Sequence, residues 1–211
     1  MNSSLCSLLG IQYPIMQGAF QWLATPELAA AVSNAGGLGT ISASLYQTKE
    51  ELTEAIARAK SLTDKPFCVN ISMFPEVVEG EKTWDFIAAC CQSQVPVVEL
   101  SGRDPKPFVE ELHGAGAKII HKSTAVRFAQ KAEAAGVDVV SVVGFECGGA
   151  PGNDDVTSMV LVPSVASAVH IPVIGGGGVC DGRSYLAMRA LGAEGVVIGT
   201  RFMATQECAI H

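Results

Sequence analysis

The stretch TAVRFAQKAEAAGVDVVSVVGFECGGA, residues 124–150, decides the fold. In its first half Val126, Ala129 and Ala132 recur at helical spacing, with Arg127 and Lys131 off that stripe, and Gly136 closes the run. VDVVSVV (137–143) follows at once, β-branched and apolar almost throughout, and then a glycine-crowded loop. The same junction, a small residue or leucine, then glycine, then a strand, returns in NAGGLGTI (34–41), GAGAKII (114–120) and ALGAEGVV (190–197). It punctuates a repeating βα array.

Working outward, eight strands are expected: YPIMQ (13–17), GLGTIS (37–42), PFCVNIS (66–72), VPVVEL (95–100), AKIIHK (117–122), VDVVSVV, IPVIG (171–175) and EGVVIG (194–199). Between them lie helical segments such as TPELAAAVSNAG (25–36), KEELTEAIARAKS (49–61), PKPFVEELHGAG (105–116) and GRSYLAMRALG (182–192). Strands apolar on both faces belong to a parallel sheet covered by helices. Eight units, at roughly 26 residues each, predict an α/β fold of the (β/α)8 TIM barrel type, one domain over residues 1–211. An open doubly wound sheet is the alternative. Only RFMATQECAIH (201–211) follows the last strand and its Gly199-Thr200, so the final helix and any C-terminal cover are expected to be truncated or absent.

Composition excludes several classes. Hydrophobic residues are 48% and charged residues 17% of the chain, against disorder, and no apolar run is long enough to span a bilayer. A net charge of -7, with no run among the 14 basic residues, argues against nucleic acid. MNSSLCSLLG lacks the basic start of a secretory signal, which leads us to expect a cytoplasmic protein. The seven cysteines form no CxxC pair and are an odd number, so they are expected as reduced thiols without a metal or disulfide role.

In a barrel the chemistry gathers at the carboxyl ends of the strands. Those positions are Gln17 and Gly18, Ser42, Asn70 and Ser72, Glu99 and Ser101, His121 and Lys122, Gly144 to Gly149, Gly175 to Gly178, and Gly199 to Arg201. IPVIGGGGVCDGRS (171–184) runs from a strand through four glycines into a helix, and GVVIGTRF (195–202) repeats the theme, a pattern whose amides can ring a phosphate. Among phosphorylated cofactors a flavin mononucleotide suits the rim: Gln17 and Asn70 offer hydrogen bonds and Lys122 a positive group. Lys122 equally suits a Schiff base or a structural ion pair. Glu146 reads as a loop anchor or a base, and Asp154 with Asp155 as a helix N-terminal charge pair or a metal site.

PIMQGAFQW, NAGGLGTIS, KIIHKSTAVR, GFECGGAPGNDD and GTRFMAT together resemble the nitronate monooxygenase family, formerly called 2-nitropropane dioxygenases, in order along essentially the whole chain. The resemblance implies FMN, contacted by Met16, Gln17, Gly18, Asn70, Ser72, Lys122, Gly148, Gly176, Gly177, Gly178, Gly199 and Thr200. It also implies a small-molecule substrate (nitronate, quinone or nicotinamide), leaves room for a homodimer, and brings in quinone reductases and enoyl reductases as relatives. Resembling proteins commonly read GGH where this chain reads Gly148-Gly149-Ala150, so Ala150 takes the place of a catalytic histidine. An alanine transfers no proton.

Overall fold

The computed structural model describes residues 3–73, 82–149, 152 and 154–210. Its eight parallel strands are β1 (Ile15–Gln17), β2 (Gly39–Ser42), β3 (Phe67–Ser72), β4 (Val97–Ser101), β5 (Lys118–Ser123), β6 (Val139–Val143), β7 (Val173–Gly176) and β8 (Gly195–Ile198). They are hydrogen-bonded in the order β1-β8-β7-β6-β5-β4-β3-β2. The remaining seam, β1 to β2, is closed by Leu38 N–H donating to Ile15 O at 2.8 Å and Gln17 N–H to Leu38 O at 2.9 Å. The sheet is therefore a (β/α)8 barrel, and the open-sheet alternative falls.

Helices α1 (Ser4–Leu9), α2 (Pro26–Asn34), α3 (Lys49–Leu62), α4 (Thr83–Gln92), α5 (Lys106–Gly114), α6 (Val126–Ala135), α7 (Ser158–Ala166), α8 (Gly182–Ala190) and the short α9 (Thr200–Met203) complete the described elements. Their starts are written in the sequence. Thr25 caps α2 ahead of Pro26, Thr48 caps α3 by accepting from Glu51 N–H, and Asp181 with Ser184 forms a capping box on α8. α1 escapes the strand-and-helix pattern, being one apolar turn and a half. α7 escapes it because SMVLVPSVA is apolar on most sides and holds Pro163 within the helix.

Two apolar layers result. Val69, Ile71, Val98, Leu100, Ile119, Val140 and Val142 face outward under the helices, whereas Met16, Leu38, Cys68, Val97, Ile120, Val139, Ile174 and Val197 fill the barrel with Leu5 and Leu9 of α1 beneath them. The strand pairings accumulate a stagger of eight residues on one circuit, the shear of this fold, so alternate strands contribute layers of four side chains. From the bottom these are Leu38, Val97, Val139 and Gly195; then Met16, Cys68, Ile120 and Ile174; then Thr40, Glu99, Ser141 and Val197; then Gly18, Asn70, Lys122 and Gly176. At the bottom a side chain on Gly195 would lie 2.5 Å from Leu5, so that glycine makes room for the α1 plug.

Candidate active site

The upper layers divide into a charged half and a bare half. On β3, β4 and β5, Asn70 Nδ2 donates to Glu99 Oε2 at 2.7 Å, and Lys122 Nζ lies 3.6 Å from the same oxygen. Glu99 is wholly buried while Lys122 keeps 23% of its side chain exposed, so a buried carboxylate backs a lysine that reaches the mouth. Burying an ionised carboxylate is tolerable only with such partners. Cys147, half-buried above, feels the same lysine: burial pushes its thiol up, the Lys122 charge pulls it down and Glu146 pushes it up again, leaving it raised.

On β7, β8 and β1 the layer is glycine. Gly178 takes a left-handed φ of +73°, and among the described residues a side chain there would meet no atom nearer than Glu146 Cβ at 4.0 Å. Gly199 likewise faces none of them closer than Phe20 at 4.0 Å. The N–H groups of Gly178 and Gly199 meet no acceptor among the described residues, and that of Thr200 opens α9. The start of α8 differs. Asp181 accepts from Arg183 N–H and Ser184 N–H, so that helix end is already capped by a carboxylate and the open amides are those of the two glycine loops.

Other glycines serve the protein itself. Side chains on Gly144 and Gly177 would each fall 2.4 Å from Ser158 Oγ, and one on Gly176 would fall 2.4 Å from Val197. Ser158 ties the loops together: its Oγ lies 2.8 Å from Gly176 O and 2.9 Å from Glu146 Oε2, and its N–H donates to that carboxylate at 2.9 Å. Glu146 is thus the loop anchor. Burial raises its carboxyl, but hydrogen bonds from its own N–H and from Ser158 outweigh that and hold it below the ordinary range.

Several expected contacts are redirected. Gln17 points out of the barrel, fully buried, with Nε2 donating to Thr40 O at 3.0 Å and Oε1 accepting from Thr40 N–H at 3.1 Å. Its carboxamide stitches the β1–β2 seam and has no hand free for a ligand. Met16 is buried in the second layer, two below the rim. His121 also faces outward, Nε2 3.1 Å from Arg103 O and Nδ1 2.9 Å from Ser123 Oγ. Burial pushes its imidazole down, against the opposing pull of that carbonyl and of Glu99. Ser72 ends β3 beside Ser101 at the mouth, and Gly148 lies in the exposed loop after β6. Asp154 pairs with Arg127 at 3.5 Å, and Asp155 has a left-handed φ of +48°. Both precede the α7 cap Thr157 and neither is in its first turn, which corrects the helix-pair reading. Among the described residues no three metal-ligating side chains cluster. Ala150 lies outside the described residues. Glu99 is the site residue to which the sequence reading gave no role; its signal was a charge inside the otherwise apolar VPVVEL.

A family model described as nitronate monooxygenase matches residues 2–92 and 76–211. The chain belongs to the nitronate monooxygenase family. It is 39% identical over 210 residues to (3aS,4S,5R,7aS)-5-hydroxy-7a-methyl-1-oxo-octahydro-1H-indene-4-carboxyl-CoA dehydrogenase of Rhodococcus jostii (strain RHA1), matching 100% of this chain and 57% of that protein. It is 34% identical over 247 residues to a probable nitronate monooxygenase of Staphylococcus saprophyticus, matching 98% of this chain and 69% of that one. Among solved structures it resembles FabK from Thermotoga maritima, with TM-score 0.93, 41% identity and coverage of 100% and 65%. A nitroalkane oxidase from Streptomyces ansochromogenes follows at TM-score 0.85, 30% identity and coverage of 98% and 70%. The chain thus spans a little over half the length of the Rhodococcus relative.

Proposed function

We propose that this nitronate monooxygenase family chain is the FMN-binding barrel of an oxidoreductase that oxidises alkyl nitronates with O2. One observation carries the reading: the cation Lys122, backed by Asn70 and Glu99, faces glycine loops in which the N–H groups of Gly178 and Gly199 meet no acceptor among the described residues and in which an added side chain would find open space. A flavin phosphate makes those two demands, for fixed donors and for a positive charge beside its ring system. When bound, FMN supplies a two-electron acceptor and donor.

The chain's own residues do the rest. Gly178, Gly199 and Thr200 hold the phosphate through main-chain N–H groups, with Gly18 and Gly176 forming the glycine layer beneath them. Gly148 and Ser72 border the opening. Asn70, its amide spent on Glu99, offers its carbonyl oxygen. Lys122 stabilises negative charge that develops at the ring. Met16 contributes as packing beneath, and Gln17 through its main chain.

Ala150 shapes the substrate. Without a histidine, a reaction that begins by removing a substrate proton loses about 10² to 10⁴ in rate, whereas a nitronate arrives already anionic. The Schiff-base role of Lys122 is disfavoured by the relatives, whose names are those of oxidoreductases. A second reading, oxidation of a CoA thioester, is favoured by the 39% identity to the Rhodococcus dehydrogenase. Quinone or enoyl reduction with a nicotinamide donor belongs to the same group of alternatives.

Anaerobic mixing of FMN-loaded protein with the nitronate of 2-nitropropane, with NADH and with an acyl-CoA, followed by visible flavin absorbance, separates these readings. Bleaching by the nitronate supports the first. Bleaching by the thioester or NADH alone transfers the assignment, and bleaching by none removes all of them.

A further inference from the structure

The third layer of the barrel, Thr40, Glu99, Ser141 and Val197, is unlike the two beneath it. Thr40 Oγ1, Glu99 Oε1 and Ser141 Oγ are all buried without a hydrogen-bond partner; the one other such side-chain atom among the described residues is Ser3 Oγ, at the cap of α1. Three of four members of a single layer therefore carry an orphaned oxygen. Layers at this depth are ordinarily filled by bulky branched side chains, whereas here a threonine and a serine put hydroxyls where an apolar layer has methyl groups. Three unpartnered buried oxygens in one layer are what a buried water satisfies, since such waters make about three hydrogen bonds.

We propose that Glu99 is the positioning residue for Lys122, fixed in a hydrated layer that it forms with Thr40 and Ser141 just beneath the site. Its two oxygens divide the work. Oε2 accepts from Asn70 and faces Lys122, while Oε1 turns to the water shared with the two hydroxyls. The separation of 3.6 Å between Lys122 Nζ and Oε2 is an attraction between charges rather than a tight hydrogen bond, so the ammonium is aimed at the mouth without being pulled into the layer. The pairing needs no flavin. It is a property of the empty-handed protein and stands or falls apart from the cofactor reading.

Two measurements on the protein without added FMN test it. In Glu99→Gln, acylation of Lys122 by an N-hydroxysuccinimide ester at fixed pH, read by peptide mass spectrometry, should quicken about tenfold, because the amine is no longer held against the carboxylate. Lys118, on the same strand and paired with Asp138, is the internal control and should not change. Glu99→Asp should return Lys122 to within about threefold of the parent. Unchanged Lys122 reactivity, or a rise shared with Lys118, overturns the proposal. A melting cycle covers poor folding of the single variant. Lys122→Met should lower Tm by several degrees and adding Glu99→Gln should recover most of it; equal, additive losses overturn the pairing. For the layer itself, Ser141→Ala should lower Tm if its hydroxyl holds water. A Tm that stays or rises means a dry layer and overturns that part.

Discussion

The lower and upper halves of one barrel are built from the same strands and follow opposite rules. Below, every inward position is apolar or glycine, Leu5 of α1 plugs the bottom, and the polar residue at that face is fully paired. Asp138 takes hydrogen bonds from Ile119 N–H at 2.8 Å, His113 Nε2 at 2.8 Å and Lys118 Nζ at 3.2 Å. Above, oxygens and N–H groups are left without partners, a carboxylate is buried, and glycines bare the backbone. Apart from Ser3 Oγ at the cap of α1, the buried side-chain oxygens without partners among the described residues lie above the boundary between the second and third side-chain layers.

That contrast can be broken from below. Ile120→Ala empties a wholly buried position of the second layer and should cost about 2–5 kcal/mol, read by urea denaturation, through lost burial plus the cavity. A loss well under that would mean the lower layers are not close-packed. Asp138→Asn should cost about 1–3 kcal/mol at neutral pH. Burial raises the Asp138 carboxyl, but its bonds from Ile119, His113 and Lys118 outweigh this and hold it below the ordinary value. Its stabilisation is therefore present above the unfolded pKa of about 3.9 and lost as pH falls through the lower folded value. The gap between parent and variant should accordingly close in acid, and a gap constant with pH would remove Asp138 from the account. Smallest of all, Gly199→Ala should change stability by about 1 kcal/mol or less, since among the described residues its side chain would meet no atom nearer than Phe20 at 4.0 Å. A large loss there would place the upper rim under the packing rule of the lower half.

The barrel was legible in the sequence because buried parallel strands announce themselves as apolar runs between helices that end in glycine. The same double burial hid the phase of each strand. With both faces apolar there is no alternation to say which residue looks inward, so Gln17 and His121 could be placed at the rim but not turned away from it. Register fixed by the β1–β2 seam turns them. Glycines were ambiguous for a related reason: Gly176 and Gly178 look alike in a run of four, yet the first avoids Val197 and the second faces no described atom nearer than Glu146 Cβ at 4.0 Å. Lys122 and Asn70 could be placed at the rim because polar residues at strand ends stand out. Their connection through Glu99 spans three strands that are distant in sequence, and it became visible only once β3, β4 and β5 were laid side by side.

The central claim is that main-chain N–H groups of the bare half clasp a phosphate. Isothermal titration of the chain with FMN and with riboflavin, which differ by that phosphate alone, tests it most directly. Charge-assisted hydrogen bonds from several amides predict FMN binding at least about 100-fold tighter than riboflavin, with the advantage cut back in Gly199→Ala. Equal affinities for the two compounds, or no binding of FMN by the folded chain, would contradict the account.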